Sequence, residues 1–227
     1  MLNEIINSII IFAHTVIEYA PKFFPGVVMT LQLSFLSILL GTVFGLIATM
    51  LKMTKIKAIV KAIDLYISIV RGTPLLLQLI FIFQALPQIG IRFSPFVSAI
   101  IGLAFHNGAY ISEIFRGAID SIDYGQKEAA RSLGMTKWQA MKRVTLPQAF
   151  KRSVPALGNQ FIIAIKDSSL ASVITITETL MLTRQYTSAT FNPWPMFFIA
   201  GFYYMVITTV LSKGLLRLEK RLKVYER

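Results

Sequence analysis

The sequence predicts an all-α integral membrane protein: five transmembrane helices, an interfacial helix at the N-terminus, and a cytoplasmic loop between spans three and four. Three observations predict it. Hydrophobic residues make up 55% of the 227 and charged residues only 15%, against about 25% charged in soluble domains. Mean hydropathy is +0.63. Apolar stretches recur at the roughly 20-residue length that a bilayer core requires, and about five such helices fit into this chain.

Residues 1–25 do not read as a signal peptide, because no basic residue precedes the apolar stretch. Ile5, Ile6, Ile9, Ile10, Ala13, Val16, Ile17 and Ala20 recur at helical spacing, interrupted by Asn3, Asn7, His14 and Glu18. That pattern predicts an amphipathic helix in the interface, stopped near Pro21 and Pro25; a spanning helix is the alternative. Residues 26–217 read as one transmembrane domain. Its first span, 27–51, has no charged residue. The second, about 58–86, keeps Lys61, Asp64 and Arg71 near one end, and Gly72 with Pro74 predicts a kink. Spans three, four and five cover about 95–119, 149–174 and 193–216. Trp194, Tyr203 and Tyr204 read as interfacial anchors or packing residues, and 218–227 as a basic cytoplasmic tail.

The net charge is +12, and its placement is informative. Lys52, Lys55, Lys57 and Lys61 follow span one. Lys127, Arg131, Lys137, Lys142, Arg143, Lys151 and Arg152 lie between spans three and four. Lys213, Arg217, Lys220, Arg221, Lys223 and Arg227 follow span five, while the other side has only Lys22, Arg92 and Arg184. Lys and Arg stay cytoplasmic during insertion, so the N-terminus is expected outside and the C-terminus inside. The basic excess is then a topology signal and not a nucleic-acid surface. Absence of cysteine excludes disulfides, thiolate metal sites and a Cys nucleophile. Two histidines, His14 and His106, do not make a His-rich metal centre, and no G-x-x-x-x-G-K-[ST] cradle is present. Neither a catalytic residue nor a cofactor is expected in this chain.

The most informative segment is the loop 124–147. Gly125 opens it, 126–133 predicts a two-turn helix, and Gly134 stands where a left-handed cap would end that helix. Thr136 and Gln139 have capping-box spacing for a second short helix, which Pro147 stops or follows by opening span four. Glu128-Ala129-Ala130, Gly134, Val144 and Leu146-Pro147 fit the spacing EAA-x₃-G-x₉-I-x-LP, with Val144 in place of Ile. The chain thus resembles the membrane subunits of ABC importers with type-I transmembrane domains. Arg71-Gly72-Thr73-Pro74-Leu75 and Lys166-Asp167-Ser168-Ser169-Leu170 are similar to the polar amino-acid (histidine, glutamine and arginine) permeases.

The resemblance implies a permease subunit that imports a polar amino acid across a bacterial-type plasma membrane. It implies a second permease copy or paralogue, an ATPase subunit holding ATP and Mg, and an extracytoplasmic binding protein. Glu128, Ala129, Ala130, Gly134, Leu146 and Pro147 would couple the chain to the ATPase. Small alanines suit close helix approach, and Glu128 offers a carboxylate to a helix turn or a basic partner residue.

Polar residues inside spans are costly and face protein or water. His106, Tyr110 and Glu113 share one side of span three, with Asn107 one step around and Gly108 permitting close approach. They are candidates to line a path for the substrate's amino and carboxylate groups, or a scaffold with Glu113 paired to Arg116. Asp167, Ser168 and Ser169 in span four are path candidates by resemblance; alternatively Asp167 pairs with Lys166 and the serines bond to backbone carbonyls. Thr73 lines the path or supports the kink. A self-powered carrier using Glu113 and Asp167 is the rival function, and it leaves the basic loop unexplained.

Overall fold

The structure, a computed structural model, describes residues 1–224 and contains no strand among them. Its helices are α1 (Leu2–Tyr19), α2 (Phe24–Met53), α3 (Lys57–Gly72), α4 (Leu75–Ile80), α5 (Pro95–Asp120), α6 (Tyr124–Ser132), α7 (Lys137–Ala140), α8 (Leu146–Asp167), α9 (Thr179–Thr190) and α10 (Pro193–Val224). Short 3₁₀ or π segments join several of them into longer rods.

The most extensive helix pair is α2 with α5. The face that α2 turns inward carries Thr30, Ser34, Ser37, Gly41, Gly45 and Thr49, all small and buried. A Cβ on Gly41 would stand 2.9 Å from Asn107 Cβ and 3.2 Å from the Ala104 carbonyl oxygen. On Gly45 it would stand 2.7 Å from Ile111 Cγ2. Lipid tails are as apolar as leucine, so helices in a bilayer associate through such close packing and through hydrogen bonds. Thr49 donates to the Ser112 carbonyl at 3.1 Å, and Gln160 of α8 donates to Asn107 Oδ1 at 2.9 Å.

The apolar core above this contact gathers Leu33 of α2, Leu75 and Leu79 of α4, Leu103 of α5, and Ala171, Ile174 and Ile176. Four helix starts illustrate local control. Ser94 accepts from Val97 N ahead of Pro95, Asp123 caps α6, Thr136 and Gln139 form a reciprocal capping box, and Glu178 caps α9.

Several expectations change. The helix does not stop at Pro21 and Pro25: a 3₁₀ turn, Ala20–Phe23, carries α1 into α2, and Asn3–Met53 counts as one apolar rod of 51 residues. Pro21 sits at the start of the 3₁₀ turn and Pro25 at the start of α2, the helix positions that tolerate proline best. Phe12 packs on Phe198 of α10 at 5.3 Å, and Tyr203 donates to the Ala20 carbonyl at 2.9 Å.

The expected second span is not one rod. The arms Lys57–Gly72 and Leu75–Ile89 meet at 107°, a far sharper break than a kink. The connection after span four contains a further helix, α9, set at 51° to Lys137–Ile174. The basic tail is not separate, because α10 runs through Val224; residues 225–227 of that expectation lie outside the described residues.

Among the described residues, two helices are long and apolar enough to cross a membrane, or four if each bent pair is one span. The remaining long helix, α5, is about 39 Å from end to end at 1.5 Å per residue. Its polar residues are tolerable because α2, α3, α4 and α8 all pack against it.

Gly41→Leu should force α2 away from the α5 backbone and cost about 1–3 kcal/mol. Thermal unfolding of the purified chain should register this as a lowered midpoint. Gly214→Ala, inside α10 and with no atom near the new methyl, should not lower the midpoint, since alanine favours a helix over glycine.

Candidate functional site

The 124–147 loop is a structured projection. The Asp123 carboxylate accepts from Gly125 N to start α6. At the other end Gly134 N donates to the Arg131 carbonyl (3.0 Å) and Met135 N to the Ala130 carbonyl (3.2 Å). With Gly134 at φ +81°, this is a Schellman cap, which needs a residue free of Cβ strain at that position. Thr136 then caps α7 through its bond with Gln139.

One expectation fails here. The second helix is not a separate short element: α7 passes through a π turn, Met141–Thr145, directly into α8. Pro147, in the first turn of α8, therefore opens the span without interrupting the rod. Ala130 and Ala140 are buried where the loop's two arms meet, whereas Glu128, Ala129 and Gly134 are exposed. Leu146 is half-buried and Pro147 exposed. Three large apolar side chains also face outward, Tyr124 at 71%, Leu133 at 80% and Trp138 at 60% exposure. The loop is rooted by Ile122, which packs with Ala118 and Ala149, and by Arg152, which donates to the Ser121 carbonyl.

The α5 residues His106, Tyr110 and Glu113 do share a face, and α3 supplies their neighbours. His106 and Tyr110 have ring centroids 4.9 Å apart, and the Arg71 guanidinium lies 5.3 Å from the Tyr110 ring. Glu113 is the hub of an ion cluster. It meets Arg116 at 2.8 Å, Lys52 at 3.6 Å and Arg71 at 3.8 Å. Lys52 also reaches Asp64 at 2.7 Å, and Arg116 reaches Asp120 at 3.0 Å. Three cations and three carboxylates thereby tie α2, α3 and α5 together with formal charge balance.

Asn107 is fully buried. Its amide donates to the Leu103 carbonyl and accepts from Gln160, so it locks α5 to α8. Ser168 and Ser169 donate to the carbonyls of Ile165 and Lys166 within their own helix. Asp167 is half-buried with Lys166 exposed beside it; among the described residues no hydrogen bond or ion pair within 4 Å engages its carboxylate. None of these contacts joins Asp167 to the α5 face. Thr73 sits at the break after α3, donating to the Ile69 carbonyl at 2.8 Å.

Two residues were missed. Gln78 of α4 stands between Thr73 and His106, with its amide nitrogen 2.9 Å from the Thr73 hydroxyl and its oxygen 3.4 Å from His106 Nδ1. Glu178 is fully buried and accepts from Leu180 N, Met181 N and the Tyr204 hydroxyl at 2.7–2.9 Å. An acidic residue directly before a helical stretch is a readable N-cap signal; Gln78 carries no comparable signal in the sequence.

The sequence matches the family described as binding-protein-dependent transport system inner membrane component over residues 41–224. It is 38% identical to the nopaline transport system permease protein NocM of Agrobacterium fabrum, covering 87% of this chain and 86% of that protein. It is 37% identical to the glutamine transport system permease protein GlnP of Escherichia coli, covering 90% and 94%. A solved structure titled as an amino acid ABC transporter with histidines superposes with a TM-score of 0.88 at 40% identity, covering 91% of this chain and 97% of that one. The methionine ABC transporter MetNI in an inward-facing conformation shares the fold, with a TM-score of 0.74 at 22% identity, covering 88% and 95%.

Removing the hub of the ion cluster should be costly by itself. Glu113→Gln should destabilise the chain by about 1–2 kcal/mol, since three cations lose a partner. Adding Arg116→Gln should then cost less than it does in the parent, and a double-mutant cycle on unfolding midpoints measures that coupling.

Proposed function

The chain belongs to the family of binding-protein-dependent transport system inner membrane components as an amino-acid ABC transporter permease subunit, and we propose that it imports a polar amino acid driven by a separate ATPase docked on its 124–147 loop. The observation that carries this reading is the loop itself. It presents Glu128, Ala129, Leu133 and Trp138 outward on a rigid, capped scaffold. Large apolar side chains exposed on one short loop suit an interaction site, and the EAA spacing matches a coupling segment.

The mechanism follows from continuity. Lys137–Ile174 is one rod with no sharp break, so a partner that displaces α7 moves α8 with it. Gln160 and Ala164 of α8 bond to Asn107 of α5 and Ser34 of α2, which passes the displacement to the central helix pair. ATP and Mg belong to the partner, whose binding and hydrolysis supply the work; this chain's residues transmit it. The path candidates are Thr73, His106, Tyr110 and Glu113 on one side and Asp167, Ser168 and Ser169 on the other. Asn107 serves the path as a lock between helices.

The remaining partners in this reading are a second permease copy or paralogue, an extracytoplasmic amino-acid-binding protein and membrane lipid. The basic residues of the 52–61 and 124–152 segments and of α10 support a cytoplasmic position for those ends, with the N-terminus outside. Residues 1–25 would then lie at the outer interface.

Affinity purification of the tagged chain from its native membranes, in gentle detergent, tests the docking. An ATPase subunit should co-purify with the parent chain and be lost with Glu128→Arg. Gly134→Val, which puts a branched side chain at φ +81°, should lower substrate-stimulated ATP hydrolysis about five- to thirtyfold, through roughly 1–2 kcal/mol of local strain at the interface. A parent chain that brings down no ATPase would point to a self-powered carrier.

A further inference from the structure

The break between α3 and α4 poses an accounting problem. In a regular helix the Val70 carbonyl would accept from the amide of residue 74, but that residue is Pro74 and has no N–H. Thr73 then turns to an extended conformation, φ −122°, ψ 148°, so the helix cannot continue past it. An unsatisfied carbonyl in an apolar medium is expensive, and broken helices persist in membranes only where other groups replace the lost bonds.

Side chains make the replacements here. The Thr73 hydroxyl donates to Ile69 O at 2.8 Å. The Gln78 amide nitrogen reaches Val70 O at 2.8 Å, Thr73 O at 3.1 Å and the Thr73 hydroxyl at 2.9 Å. Two of those three partners are backbone carbonyls, which only accept, so the orientation of the Gln78 amide is fixed. Its oxygen must therefore face His106 Nδ1, 3.4 Å away. An amide oxygen cannot donate, so the hydrogen in that contact belongs to the imidazole.

We propose that Gln78 is a positioning residue of the transport path. Its amide nitrogen holds the α3–α4 elbow closed in place of the missing Pro74 hydrogen bond, and its oxygen holds His106 with the proton on Nδ1. His106 in turn stacks on Tyr110, over which Arg71 lies. One amide thus sets both the backbone turn and the face that α5 presents. The functional part of this inference rests on the transport reading above; the structural part does not.

The chain's two histidines make a direct test possible. Histidine-labelled full-length chain in liposomes should give two imidazole nitrogen patterns by solid-state NMR, with His14→Gln removing one to assign the other. His106 should be protonated at Nδ1 in the parent, and its nitrogen shifts should change in both Gln78→Glu and Gln78→Met. The first variant keeps shape and loses the donors; the second keeps volume and loses both functions. In the assembled transporter, both should lower maximal amino-acid uptake about tenfold or more, because the bonds of Gln78 to the elbow are lost together, with membrane abundance within about twofold of the parent.

A bare Nδ1 on His106 in the parent overturns the proposal. So does parent-like uptake together with unchanged His106 shifts in Gln78→Glu. Failure of the parent to take up any amino acid would count against the transport reading alone, because the nitrogen pattern would still stand.

Discussion

Close contact between α2 and α5 is the constraint on which the other helices depend. In water two helices are driven together by the removal of apolar surface; in lipid that drive is missing, and shape complementarity with backbone-level contact must replace it. Gly41 and Gly45 give that contact, one against Asn107 and the Ala104 carbonyl, the other against Ile111. Once α5 is held this way and flanked by α3, α4 and α8, it no longer needs to be lipid-soluble. Its Asn107, His106, Tyr110 and Glu113 become affordable because protein surrounds them on several sides.

The two ends of this pair are tied differently, and the difference suits transport. At one end Glu113 joins α2, α3 and α5 through ions, whose bonds are strong but whose geometry tolerates small movements. Further along, α8 is joined through neutral hydrogen bonds, from Gln160 at 2.9 Å and from Ser34 at 3.3 Å, which are directional. In the proposed coupling, a displacement entering through the loop and α8 would reach the core through these bonds. The ionic end can yield by exchanging partners among three cations and three carboxylates, without exposing an unpaired charge.

What the sequence made legible follows the kind of information each feature carries. The apolar stretch of α2 and the length of α5 were legible because a long apolar run is local. The loop came through almost complete, because the Gly134 cap and the Thr136–Gln139 box are encoded within a few residues. The sharp break at Thr73-Pro74 was legible as a kink but not in size, since the 107° between its arms depends on what α4 packs against. Helix α9 was hidden by its polar composition, Thr179 to Thr190, and by reading hydropathy instead of the Glu178 cap. The Gly41-x-x-x-Gly45 spacing was present and went unread. No local pattern could reveal the partners of Asn107, which a single stripe on α5 made look like a path residue.

The two departures from straight helices share one physical logic. The chain breaks between α3 and α4, and again between Ile174 and α9, where Thr175 adopts φ +69°. Irregular backbone survives at membrane depth only where protein covers it. Each break turns an arm inward: Leu75 and Leu79 of α4 pack in one cluster with Ala171, Ile174 and Ile176, around Leu33 and Leu103 of the central pair. The bends therefore cover each other. Each is also re-satisfied by side chains from within the bundle, the first by Thr73 and Gln78, the second by Glu178 with Tyr204 and by Thr30, which bonds to Thr179. That requirement explains why polar side chains gather at the breaks of an otherwise apolar chain. It also sets Asp167, Ser168 and Ser169 at the start of the 3₁₀ segment, Ser168–Ile174, that leads to the second break.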